Sequence, residues 1–169
     1  ANATSAMTRS GMRWAKQQLP MAAGIAQGQN YITATHNGGF KILIGLVGDR
    51  AALAADPTGY TNSFAAFAAQ LATAGADAIE VWNEPNIDRE WPSGSISPSA
   101  YTDLLRQAYG AIKGSNPNTL VISGAPAPTG YFGGCSANGC DDNQFVAGMA
   151  AAGAANYMDC LGLHYNEGV

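Results

Sequence analysis

Residues 78–86, Ala-Ile-Glu-Val-Trp-Asn-Glu-Pro-Asn, constrain the fold more than any other stretch of this chain. A short apolar run ends there abruptly in polar residues and a proline. A parallel strand buried on both faces reads as a near-continuous apolar run, and Pro85 cannot extend a hydrogen-bonded ladder. The pattern predicts a strand over 78–83 that delivers Glu84 to its carboxyl end, where α/β proteins hold their chemistry. Asn83 stands beside that carboxylate.

The rest of the chain alternates in the same way. Strands are predicted over 12–16, 40–47, 78–83, 120–123 and 157–165, and helices over 25–36, 62–73, 97–114 and 141–152. The helix at 97–114 is the best specified. Ser97 suits its cap and Pro98 its first turn, and Tyr101, Leu104, Leu105, Ala108 and Ile112 form one apolar stripe. Five strands alternating with four helices, joined by right-handed crossovers, predict one parallel sheet. With no linker or break in composition, residues 1–169 read as a single α/β domain. A doubly wound sheet would be complete at this length, whereas a (β/α)8 barrel needs about 250 residues and would be present only in part.

Composition narrows the partners. Only 12% of residues are charged and the formal net charge is -4, so no basic stripe is available for nucleic acid. The eight Lys and Arg residues are scattered, which argues equally against an anionic membrane, and no apolar run approaches the roughly 20 residues of a membrane span. A neutral sugar or uncharged polymer suits this balance better. Cys135 and Cys140 bracket four residues of a Gly-rich loop, a spacing that fits a small disulfide-closed loop and hence an oxidising, extracellular compartment. No second Cys or His pair stands nearby to make them a metal site. Cys160, in the apolar run at 157–165, reads as a buried small hydrophobe.

Polar residues cluster at each expected strand end: Lys16-Gln17-Gln18, Gly48-Asp49-Arg50, Asn83-Glu84, Ser123-Gly124 and His164-Tyr165-Asn166-Glu167. No Gly-rich phosphate loop occurs, so no nucleotide cofactor is expected. Lys16, Gln18 and Asp49 are candidate rim residues. Glu80 shares strand parity with Glu84 and is expected to point inward two layers below, paired with Lys16, Arg13 or Lys41. His36, just before Gly38-Gly39, reads as a solvated helix cap.

The Val-Trp-Asn-Glu-Pro-Asn segment resembles the fourth-strand motif of retaining glycoside hydrolases with (β/α)8 barrels, the clan of many cellulases, xylosidases and mannanases. Residues 97–117 resemble the helix that follows the motif, and Leu161-Gly162-Leu163-His164-Tyr165 resembles the sixth strand. The resemblance lies nearest the family 39-like or cellulase-like members. It implies a partial TIM barrel, strands two to six, acting on a β-linked oligosaccharide or polysaccharide without a metal or other cofactor. Such hydrolysis needs two carboxyls, about 5–5.5 Å apart in retaining enzymes. Glu84 fits the general acid/base, and Asn83 can hydrogen-bond the sugar 2-hydroxyl. Trp82 suits either sugar stacking or core packing. His164 and Tyr165 stand where the resembling enzymes position the nucleophile and contact the sugar, and Lys16 is a further substrate-binding candidate.

The nucleophile of those enzymes is a Glu at the end of the seventh strand, which has no counterpart in this sequence. Glu167 is a weak substitute in the loop after strand six. The chain thus reads as a piece of a longer enzyme whose open sheet needs a complementary fragment or self-association. Two other readings stay open: an inactive carbohydrate-binding barrel fragment, and a flavodoxin-like nucleotide binder.

Overall fold

The computed structural model describes residues 3–165. Four parallel strands form its main sheet: β1 (Trp14–Pro20), β2 (Lys41–Val47), β3 (Ala78–Val81) and β4 (Leu120–Ser123). They lie side by side in chain order, β1-β2-β3-β4. A doubly wound sheet reverses its strand order at a switch point. No reversal occurs here, so the winding is that of a barrel wall. The fold class is α/β, as expected.

Side-chain alternation sorts the sheet into two faces. Leu19, Ile42, Ile44, Leu46, Ile79, Val81 and Val121 are fully buried on one. They pack against α2 (Ile25–Asn37), α4 (Pro57–Thr73) and α5 (Pro98–Ser115), which contribute Ile32, Phe64, Leu71, Leu104 and Leu105. The other face carries the row Gln18, Gly45, Glu80 and Ile122, in register across all four strands. Among the described residues no helix covers this face, and Trp14 and Leu120 on it are 40% and 38% exposed.

Helix starts follow local chemistry. The Ser97 hydroxyl accepts from the Ala100 N–H with Pro98 in the first turn of α5. Asp56 caps α4 by accepting from Gly59 N at 2.9 Å, and Pro57 follows. That cap starts α4 five residues before the apolar stripe that predicted it. Two short helices carry too little periodicity to be seen in sequence: α1 (Ala3–Arg9), with no buried residue, and α3 (Arg50–Ala55), capped by Asp49.

Several expectations need correction. The first strand runs Trp14–Pro20 rather than 12–16, because pairing continues through Leu19↔Leu46 and Pro20↔Val47. Lys16, Gln17 and Gln18 are therefore mid-strand residues on a sheet edge, not a strand-end cluster. The expected fifth strand is reduced to one parallel bridge, Ile122↔Cys160. Its first residue, Tyr157, closes the 3-10 turn Ala154–Tyr157. Beyond the bridge the ladder fails because Gly162 N–H donates to the Ser123 hydroxyl at 3.0 Å instead of to a main-chain carbonyl. Cys160, expected to be buried, is exposed. His36 is not a free cap: its Nε2 lies 2.8 Å from Asp77 Oδ2, which also accepts from Ile42 N. Asn166 and Glu167 lie outside the described residues.

Cys135 and Cys140 form the expected disulfide. It closes a small antiparallel hairpin, β5 (Cys135–Ser136) and β6 (Gly139–Cys140), ahead of the last helix α6 (Asp142–Ala151).

Candidate active site

The chain leaves β3 through an unusual backbone. Trp82 and Glu84 both take positive φ, 76° and 43°, a region costly for residues with a β-carbon and rare for a bulky one. Packing enforces it. The Trp82 ring is fully buried between Phe64, Tyr60 and Trp91, with centroids 5.5, 6.4 and 5.1 Å away, and its indole N–H donates to Glu90 O at 3.0 Å. The ring also runs across Gly48, where a β-carbon would lie 1.8 Å from it. Only glycine fits there. Trp82 therefore has no ring face open to a sugar; it is a core residue that fixes the turn.

That turn presents Glu84 at the carboxyl edge of the sheet. Its main-chain N–H donates to Ala125 O at 3.0 Å. The carboxylate is buried, with Glu84 5% exposed, and among the described residues each oxygen has one partner. Oε1 lies 2.9 Å from His164 Nδ1, and Oε2 accepts from the Arg89 guanidinium at 2.9 Å. His164 is thus brought to Glu84 across 80 residues of sequence, although its segment is not a strand. Asn83 is half-buried beside Glu84, and its side-chain amide makes no hydrogen bond among the described residues. Tyr165 is 85% exposed next to His164.

Arg89 escaped the sequence reading because nothing marks it beyond its place five residues after Glu84. Asn86 was legible as part of the motif but not as a brace. It is fully buried; its amide donates to Ala127 O and Cys140 O, and accepts from Ala127 N at 2.7 Å. The Glu84 turn is thereby stitched to the loop that leaves β4.

The other candidates are occupied elsewhere. Lys16 pairs with Glu80 at 2.5 Å, one of the pairings expected for that carboxylate, and Glu80 Oε1 accepts from Ala125 N at 3.3 Å. Asp49 caps α3 through the Ala51 and Ala52 N–H groups. Its carboxylate fills the helix N-terminus where a phosphate would bind, which removes the support for a nucleotide site after β2. Gln18 is exposed on the open face. Among the described residues no group of His, Cys, Asp and Glu is arranged to hold a metal ion, and no helix is long and apolar enough to cross a membrane.

Two cavities flank this region. One of about 300 Å³ lies on the same edge, between the β1 and β2 ends and Arg89, and is lined by Met21, Gly48, Arg50 and Glu90 among others. The larger, about 540 Å³, opens between α3, α4 and α5 beneath Trp91 and Pro92, behind the sheet and away from Glu84.

No family model matches the chain, and no curated protein matches it in sequence. Solved structures do. The chain is similar to a family 39 glycoside hydrolase from the gut symbiont Bacteroides cellulosilyticus, with 24% identity, 95% of this chain and 34% of that one covered, and a TM-score of 0.60. It is similar to the catalytic domain of a family 53 glycoside hydrolase from Ignisphaera aggregans at 14% identity, covering 98% and 52%, with a TM-score of 0.67. Thermotoga maritima Cel5A, solved with mannotriose, matches at 18% identity over 79% and 46%, with a TM-score of 0.56. The chain therefore has the fold of part of a parallel (β/α) barrel, and it spans between 34% and 52% of the lengths of these structures.

Proposed function

We propose that the chain is the acid/base-bearing part of a retaining glycoside hydrolase that acts on a β-linked oligosaccharide or polysaccharide. One observation carries the reading: a buried carboxylate, Glu84, held at the carboxyl edge of a parallel sheet by a strained turn, by Arg89 five residues on and by His164 from a distant segment. Glu84 would protonate the departing glycosidic oxygen and later take a proton from the attacking water. His164 would keep the carboxyl oriented. Asn83, with its amide unclaimed, would bind the sugar 2-hydroxyl, and Tyr165 would contact the sugar at the open rim. The Cys135–Cys140 disulfide supports an extracellular setting.

The second carboxylate is the open half of the mechanism. On this edge Asp49 is a helix cap, Glu80 is bound to Lys16, and Glu90 lies 3.7 Å from Arg89. That arrangement favours a second reading for the 169 residues alone: they bind sugar, and turnover needs a nucleophile from a further strand. The test is a Glu84→Gln variant of the source protein, assayed for polysaccharide hydrolysis and, by proton NMR, for the anomer first released. Loss of hydrolysis with sugar binding retained, and a β-anomer as first product of the unaltered protein, is the expected result. An α-anomer would exclude the retaining mechanism.

A further inference from the structure

The loop between β4 and α6 carries a feature that Glu84 chemistry does not use. Tyr131 is 79% exposed, yet its ring is not loose: it stacks on Phe132 with centroids 4.2 Å apart and planes 30° from parallel. Phe132 is itself seated. Its ring covers Gly139 so closely that a β-carbon there would lie 2.1 Å from it, and its N–H donates to Asp141 Oδ1 at 3.0 Å. Asp141, buried, also accepts from Gly134 N at 2.9 Å, and the Cys135–Cys140 disulfide closes the loop beneath. Gly139 in turn bridges to Ile87, three residues after Glu84, and Cys140 N–H donates to Asn86 O. Tyr131, Phe132, Gly139 and Ile87 thus form one contiguous path from an exposed ring to the Glu84 turn.

The geometry points to Tyr131 as a stacking platform for a neutral pyranose unit of a longer chain, on the β4 side of Glu84. This rests on the glycosidase reading and extends it by a binding subsite. A pyranose ring presents an apolar C–H face and a hydroxyl edge, and an exposed aromatic ring matches the first while leaving the second in water. Burying that face against a ring stacked on Phe132, in a loop held by two carboxylate hydrogen bonds and a disulfide, costs little ordering entropy.

The test measures binding of β-1,4-linked gluco- and manno-hexaoses by titration calorimetry to the source protein carrying Glu84→Gln, with and without Tyr131→Ala. Hydrolysis of a short aryl β-glycoside by the same Tyr131 variants with Glu84 intact is measured alongside. Tyr131→Ala is expected to weaken hexaose binding about tenfold, Tyr131→Phe and Tyr131→Trp to preserve it, and none of the three to change aryl glycoside hydrolysis. Unchanged hexaose affinity in Tyr131→Ala, or no hexaose binding at all, overturns the platform. If the platform binds but Glu84→Gln, assayed alongside on an aryl β-glycoside with a poor leaving group, keeps full turnover, the Glu84 reading fails while the subsite stands.

Discussion

The candidate site depends on a few residues whose work is positional. Trp82 and Glu84 hold left-handed backbone that costs about 1–3 kcal/mol per residue, and the surrounding hydrogen bonds sustain it. Tyr101 is central to them. Its buried hydroxyl donates to Val81 O at 2.8 Å and accepts from Gly124 N at 2.6 Å, joining the ends of β3 and β4 directly beneath Glu84. Burial pushes this hydroxyl above the usual tyrosine range, so it stays protonated and keeps donating at any ordinary pH. Tyr101→Phe leaves the Gly124 N–H without its partner and should lower stability by about 1–3 kcal/mol in urea unfolding. Asn86→Ala removes three hydrogen bonds at once; the expected result is a larger loss of stability than Tyr101→Phe and weaker sugar binding. A variant as stable as the parent would show that the brace is dispensable.

At the level of elements, much was legible. A long apolar run needs no tertiary information to announce a buried strand, so β2 and β4 fall where expected; β3 starts where expected but stops at Val81 rather than Asn83, because Trp82 turns into positive φ. The α5 stripe and its Ser97-Pro98 start do so for the same reason. The misses share a cause: they depend on a neighbour. Nothing in Lys16-Gln17-Gln18 says that β2 will pair with it through Pro20, and nothing in residues 157–165 says that only one bridge will form. Glu84 was legible because its motif is local; Arg89 and His164 acquire their contacts only after folding. The segment after α6 is instead pinned by Asp159, which accepts from Val121 N at 2.7 Å and pairs with Lys113 at 2.7 Å. Burial alone would raise the Asp159 pKa, but Lys113 and the Val121 N–H outweigh it and hold it below the ordinary carboxylate value. The folded state therefore gains stability above the unfolded pKa of about 3.9 and loses it as pH falls through the lower folded value. Asp159→Asn should flatten the acid limb of the thermal melting curve below about pH 4. An unchanged limb would mean that the ion pair contributes nothing there.

At the scale of the molecule, the sheet has a helix-covered face and an open one. Trp14, Leu120, Leu161 and Leu163 are large apolar side chains exposed at 38–69%, and β1 presents an unpaired edge. Contiguous apolar surface and free strand edges favour association. The 169 residues by themselves should bind the dye ANS and sediment heavier than 17.3 kDa; a dye-free monomer would show that the open face is stable in water. The glycosidase reading rests on Glu84 donating a proton to the leaving group, and one comparison addresses it without intermediaries. Turnover of aryl β-glycosides with poor and with activated leaving groups is measured for the source protein and for Glu84→Gln. The variant should lose turnover on poor leaving groups by orders of magnitude while retaining part of it on activated ones, which need no protonation. Equal losses on both would remove Glu84 from the acid/base role.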